Sequence, residues 1–486
     1  MTHKETLRGI SDIRRHFYRN DIPTLFVSAT NFNLIGIDEW VRRFRYINYI
    51  DCFDGQHPNV FVPPEVAHEP FTSIEDINNY LLEHKAVIDY IKQTAQGRRP
   101  RAVFLFFDER TEAICDELGI DICFPRAALR KQVDDKISAT RIGNQAGIAS
   151  VPNVLAPVRS YADLTRAAAS LGKELVVQTA FGDSGHTTFF ISSEADFRKH
   201  AADIIEAPEV KIMKRIRCRG AAQEACVTRH GTIVGPLMTE LVGFSALTPY
   251  RGGWCGNEVL AESFSSSVRA TARKMTVAFG EELRKLGYRG YFELDFLRDL
   301  DTNELYLGEV NPRLTGASAM TNLAAFAHAD APLFLFHLLE FSDVEFELDV
   351  EALNERWSNP RNIDPWGQLV MKYTRDEVRV VTKAPPSGVW RMDQDGAVHF
   401  VRVQTHRRTV EREDEAFFLR ISKAGDYFYE GADLGILITP GRLMSEDFEL
   451  LPRAKQWIDG IQAHYESQPL SQSAPTPPQP GTFKML

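Results

Sequence analysis

Residues 290–313 read Gly-Tyr-Phe-Glu-Leu-Asp-Phe-Leu-Arg-Asp-Leu-Asp-Thr-Asn-Glu-Leu-Tyr-Leu-Gly-Glu-Val-Asn-Pro-Arg. Phe292, Leu294 and Phe296 alternate with Glu293 and Asp295, the period of a strand with one apolar and one polar face. A polar turn, Asp301-Thr302-Asn303, separates this run from a second one ending in Asn311-Pro312-Arg313. Centring the turn on Thr302 sets Asp295 opposite Glu309 and Glu293 opposite Asn311 in an antiparallel hairpin. Like charges opposed across a ladder destabilise it unless something offsets the repulsion. Clustered hard oxygen atoms are also what a magnesium ion bridging nucleotide phosphates takes as ligands. The register therefore predicts a divalent cation between the opposed carboxylates of Asp295 and Glu309. A slip of one residue would send Asp295 and Glu309 to opposite faces, and an ordinary solvent-facing hairpin is the competing reading.

The chain has 486 residues, 44% hydrophobic and 25% charged, with a formal net charge of -10. That suits roughly three domains of about 150 residues. Acidic balance without long basic blocks argues against nucleic acid as a partner. The densest basic run, Lys211-Ile-Met-Lys-Arg-Ile-Arg-Cys-Arg219, would serve a bound polyphosphate as well as RNA. Cysteines at 52, 115, 123, 218, 226 and 255 show neither CxxC spacing nor a disulfide framework. With no apolar signal core after Met1, the expectation is a cytoplasmic protein. The apolar stretch Ala324 to Leu339 is broken by His328, Asp330, Pro332 and His337, so it predicts a buried helix pair and no membrane span.

Strand-like runs at Thr24–Thr30 and Ala102–Phe107 with helical material between predict an N-terminal α/β domain over 1–128, and without a GxGxxG dinucleotide binding there is not supported. Asp108-Glu109-Arg110 follows a strand end, where such folds place ligands; an N-cap with a surface pair explains it as well. A central domain follows over 129–344. It begins with a helix from Lys131 to Gly147 and contains a lid-like subdomain over about 150–220. In that unit Gly182 and Gly185, within Phe181-Gly-Asp-Ser-Gly-His-Thr187, permit close backbone approach to a phosphate or simply serve a hairpin turn. Strands near Val210–Ile216 and Glu224–Val234 complete the unit. Residues 345–465 predict a mostly antiparallel β domain with a final helix. The proline-rich residues 466–486 read as a flexible tail.

Taken in order, Asp135-Lys136, Gly182-Asp-Ser-Gly-His186, Met213-Lys-Arg-Ile216, Phe292-Glu-Leu-Asp-Phe296 and Leu307-Gly-Glu-Val-Asn-Pro-Arg313 resemble the ATP-grasp superfamily, in its biotin-carboxylase-like branch. The resemblance spans about residues 20–440. Val177-Gln-Thr-Ala-Phe-Gly-Asp-Ser-Gly185 and Asn311-Pro-Arg-Leu-Thr-Gly-Ala-Ser318 look most like the peptide ligases of natural-product pathways. The resemblance implies a three-domain α/β fold that clamps ATP between two α+β units and activates a carboxylate as an acyl phosphate for attack by an amine. It implies that Asp295, Glu309 and Asn311 hold one or two magnesium ions, with manganese an alternative, and that Lys136 reaches the phosphates. Lys214 would approach the adenine or α-phosphate, with Arg215 and Ile216 giving backbone contacts to the base. Gly182, Asp183, Ser184, Gly185 and His186 would close over the β- and γ-phosphates, and Glu224 would bond the ribose. Arg313 would be the catalytic cation, stabilising charge on the transferred phosphoryl group. The implied partners are a small-molecule acid and an amine, an amino acid or short peptide, and a homodimer is compatible.

Two departures matter. Where the family commonly has Lys on the strand entering the glycine loop, this chain has Gln178, whose neutral amide can bond a phosphate without neutralising it. After Arg313 the carboxylases carry an acid that acts on bicarbonate; Leu314-Thr-Gly-Ala-Ser318 offers none. Substrate recognition is expected in Leu247–Glu258, where Arg251 could bind a carboxylate with its planar fork and Trp254 could wall a side chain; a glycine-rich connection with a buried Trp is the alternative. The rival functions are an acid–thiol ligase, a carboxylase and a non-catalytic ATP-binding regulator.

Overall fold

The computed structural model describes residues 6–181 and 187–470. Near the N-terminus, a five-stranded sheet runs Val60–Phe61, Phe44–Asn48, Thr24–Ser28, Arg101–Phe104 and Asp121–Ile122, all parallel. Its central strand is buried throughout, as the Thr-Leu-Phe-Val-Ser sequence of a sheet covered on both sides requires. Asp108 N-caps the helix Glu109–Leu118, accepting from the Thr111 amide at 2.8 Å, and Arg110 pairs with Glu83. That is the capping reading of this triplet.

A ten-stranded antiparallel sheet forms the body. Its order is Leu305–Asn311, Gly290–Asp299, Cys218–Thr228, Gly231–Val242, Trp254–Val259, Trp366–Lys372, Asp433–Pro440, Glu415–Arg420, Gly388–Met392 and Val398–Arg402. Strands from beyond residue 345 thus continue the sheet that carries the hairpin. The helix pair Ala325–Ala329 and Leu333–Glu340 breaks at Pro332, and every residue of the second helix is buried. Phe334, Leu335 and Leu339 share one apolar core with Leu25, Phe26 and Val103 of the parallel sheet, each such side chain contributing roughly 1.5–3 kcal/mol on burial. No helix among the described residues is long and apolar enough to cross a membrane.

The hairpin has the predicted partners at the site, Glu293 with Asn311 and Asp295 with Glu309. It reaches them differently. Nearer the turn Phe296 faces Leu307 and Arg298 faces Leu305, so the turn is half a residue off Thr302 and a bulge beside Asp295 restores the register. Gly308 is the extra residue; a Cβ there would come within 3.0 Å of the Asp295 carbonyl oxygen, a close approach that favours glycine at a bulge.

Three expectations need correction. The single helix from Lys131 is two, Ala127–Asp134 and Lys136–Gln145, because Asp135 accepts the Ser138 amide at 2.7 Å and caps the second. Glu224–Val234 does not belong to the lid. The lid sheet is four-stranded, Asn153–Ala156, Val210–Lys214, Leu175–Gln178 and Thr188–Ile191, whereas Glu224 lies on a strand of the large sheet. Glu466–Pro469, placed in the flexible tail, instead pair with Arg379–Lys383; an open sheet edge with unpaired amides accepts even a polar strand.

Candidate active site

The polar face of the hairpin forms an acidic floor. Asn311 Nδ2 donates to Asp295 Oδ2 at 2.9 Å and to Glu293 Oε1 at 3.3 Å. The amide turns its nitrogen toward both acids, which leaves its oxygen for another partner. On the adjoining strand Ala222 lies opposite Asp295 and Glu224 opposite Glu293. Glu240, one strand further, extends its carboxylate over Gly220, where any side chain would collide with it.

Apart from Glu309, these acids have no ion-paired cation among the described residues. Burial, then repulsion from Glu293, Glu240 and Glu309, holds Asp295 well above the usual carboxylate range. Burial and then Glu224 do the same to Glu293, and Glu240 is pushed up to about 7 by burial and the Glu309 charge. Burial would raise Glu309 too, but the ammonium of Lys136, ion-paired to it, and the Arg313 guanidinium bring it below its ordinary value. Asp295 Oδ1 meets no donor; it can bond Glu309 only by carrying a proton itself.

Beneath this floor lies a fully buried network. Thr315 Oγ1 stands 2.8 Å from Glu293 and 3.0 Å from Glu224, while Ser318 Oγ and the Tyr291 hydroxyl donate to Glu224 at 2.6 and 2.5 Å. The Tyr291 amide donates in turn to His337 Nδ1 at 3.0 Å, whose Nε2 donates to the Cys123 carbonyl at 2.7 Å. Burial lowers the His337 imidazole to about 3, so it is neutral and structural. Glu224 is accordingly not a ribose ligand: it is 0% exposed and both its oxygens are bonded to buried hydroxyls.

Arg313 borders the floor with its guanidinium over the Phe106 ring at 4.5 Å and its Nε unpartnered. Sequence reasoning missed its support. Arg130 is buried between Phe107 and Phe124 and donates through Nε to the Pro312 carbonyl at 3.1 Å, fixing the turn that aims Arg313. Lys136 heads its helix, and its amide donates to the Ala180 carbonyl at 2.8 Å, tying the lid strand to the floor. Gln178 Nε2 donates to Thr188 Oγ1 at 3.1 Å.

The remaining expected ligands divide. Lys214 and Arg215 point to solvent, Arg215 pairing with Glu174, and both amides are already bonded, to the Pro152 and Glu174 carbonyls. The Ile216 amide is in no hydrogen bond among the described residues. Gly182, Asp183, Ser184, Gly185 and His186 lie outside the described residues. Arg251 is exposed and joined to no site carboxylate among the described residues. Trp254, in contrast, donates to Asn257 Oδ1 at 3.0 Å and packs on Gly316, whose carbonyl accepts from Gln368 at 3.0 Å. Cys255 is buried with its thiol raised to about 12 by burial, unfit as a nucleophile.

Among the described residues no three His, Cys, Asp or Glu side chains form a ready-made metal cage. Magnesium seldom needs one, since it takes one or two carboxylates and completes its shell with phosphates and water. Asp295, Glu309 and the free oxygen of Asn311 fit that requirement, and the uncompensated acids are the observation that favours a cation there.

No protein-family model matches the sequence. The alpha subunit of a mitochondrial methylcrotonoyl-CoA carboxylase from Arabidopsis thaliana is 22% identical over 237 residues, 47% of this chain and 31% of that protein. The chain therefore matches about a third of the length of this curated relative. Among solved structures, the biotin carboxylase domain of Hydrogenobacter thermophilus 2-oxoglutarate carboxylase, in complex with MgADP, ADP and bicarbonate, superimposes with a TM-score of 0.57 at 12% identity, covering 92% of this chain and 90% of that one. Phosphoribosylamine–glycine ligase of Thermotoga maritima does so with a TM-score of 0.56 at 12% identity, covering 92% and 98%. With a small four-stranded antiparallel sheet, a large antiparallel sheet and a parallel N-terminal sheet, this chain has the ATP-grasp fold in its biotin-carboxylase-like form.

Proposed function

We propose that the protein is an ATP-dependent ligase that activates a carboxylate as an acyl phosphate and transfers the acyl group to an amine. The acidic floor beside Arg313 and Lys136 carries this reading: carboxylates raised by one another, with cations along one border, suit a magnesium polyphosphate. Asp295, Glu309 and Asn311 would hold magnesium, which when bound neutralises phosphate charge. A carboxylate oxygen of the acid attacks the γ-phosphorus, the bond to the β–γ bridging oxygen breaks, and ADP departs. The amine then adds to the acyl carbon, loses a proton and expels phosphate. Phosphoryl transfer of this kind depends chiefly on positioning and charge neutralisation; Arg313, held by Arg130 and Phe106, supplies fixed positive charge where the transferred group develops negative charge.

An amine acceptor is favoured over bicarbonate by the segment after Arg313. Thr315 and Ser318 are spent on Glu224 and Glu293, and Gly316 lies under Trp254, so no acid from this segment stands there to act on bicarbonate. The resemblance to natural-product peptide ligases makes amino acids or short peptides the substrates of choice. The test is ADP release across an amino-acid library with hydroxylamine present to trap acyl phosphate. ADP and hydroxamate formed with particular acids support the ligase; bicarbonate-dependent ADP release without hydroxamate would support the carboxylase instead.

A further inference from the structure

Lys211 is 1% exposed, yet among the described residues no hydrogen bond or ion pair engages its ammonium. Strand alternation explains how it came to be buried. Val210 and Ile212 point into the lid's own core with Val177, Phe189 and Ile191, so Lys211 must point out of the opposite face. The helix Lys136–Gln145 packs against this strand, and Lys136 and Glu309 are the charges that act on Lys211. The carboxylate of Glu309 is already paired with Lys136. A buried ammonium with no partner among the described residues is unfavourable there, and a polyanion entering the cleft would relieve it.

The position of Lys211 is as informative as its burial. It sits directly opposite Gln178 in the antiparallel lid sheet, with Thr188 next in the same row. Directly opposed residues have Cβ atoms about 5 Å apart on the same face, so a lysine at either position can bring its ammonium to the same place. Gln178 is the neutral residue where a charge was expected, and its amide is bonded to Thr188.

We propose that Lys211 is the lid's phosphate-binding cation, supplying from the neighbouring strand the charge that Gln178 lacks, so that Lys211 and Lys136 grip the polyphosphate from the lid and the floor. This rests on the nucleotide-binding reading above. The experiment compares dissociation constants of MgATP, MgADP and adenosine for wild type, Lys211→Met, Gln178→Lys and the double variant Lys211→Gln with Gln178→Lys. A charge-assisted contact predicts about a ten- to hundredfold weaker MgATP complex for Lys211→Met, with adenosine little changed and the nucleotide-free thermal midpoint unchanged or higher. The double variant should regain most of the lost affinity. MgATP affinity within twofold of wild type in Lys211→Met overturns the assignment, as does a double variant no better than Lys211→Met. A lowered midpoint with equal losses for adenosine and MgATP would mark Lys211 as merely structural. Wild-type protein that binds no nucleotide would overturn the proposed function itself, a result distinct from these.

Discussion

Asp295 and Glu309 face each other across adjacent antiparallel strands, and two carboxylates so opposed are satisfied either by a shared proton or by a metal cation. Without nucleotide the proton serves: burial first, then the charges of Glu293, Glu240 and Glu309, hold Asp295 above the usual carboxylate range. Asp295→Asn supplies a permanent donor to Glu309. It should therefore stabilise the metal-free protein at neutral pH, while abolishing magnesium-dependent ADP release. Denaturant unfolding in chelator alongside turnover with magnesium checks both halves.

Arg313→Ala should lower turnover about 100- to 1000-fold, the usual loss for one preorganised charge donor, with nucleotide affinity retained. Steady-state kinetics beside equilibrium binding separates the two, and an unchanged rate would remove Arg313 from the chemistry.

Glu240 gives the molecule a pH signature. Folded, it keeps its proton up to about 7, against 4.5 for the ordinary side chain. Between those values the native state binds more protons than the unfolded chain, so stability falls as pH rises through that window and levels off above it. Glu240→Gln should remove its share of this slope, gaining on the order of 3 kcal/mol at pH 8 and little at pH 4. Denaturation midpoints across pH in nucleotide-free buffer measure it.

Gly308→Ala should press a methyl group against the Asp295 carbonyl. The expected destabilisation is about 1–3 kcal/mol, as for other overpacked positions. Magnesium-nucleotide affinity should fall with it, because the bulge sets the Asp295–Glu309 register. A neutral effect on both would show that the bulge has room.

The hairpin was legible because alternation and turn residues are local properties: Glu293, Asp295, Glu309 and Asn311 fall where the pattern of apolar residues puts them. The bulge at Gly308 was hidden, since half a residue of turn displacement and one extra glycine cancel at the site. Glu224 misled because its burial is set by Tyr291, Thr315 and Ser318, residues remote in sequence. Arg130 carried no signal, as an arginine stacked between Phe107 and Phe124 reads in sequence like any helix-surface cation. Lys211 did carry one: a lone cation between Val210 and Ile212 in a strand must leave the apolar face, and only its burial within the influence of Lys136 and Glu309, residues remote in sequence, marks it as a site candidate.

The central claim is that Asp295 and Glu309 hold a divalent cation together with a nucleotide, and manganese binding followed by electron paramagnetic resonance measures it directly. The account predicts one or two manganese ions bound per chain in the presence of ATP, with the signal broadened into the protein-bound form, and none bound stoichiometrically in Asp295→Asn. ATP that binds as tightly in chelator as in manganese, or an Asp295→Asn variant that retains the full complement of bound metal, would contradict it.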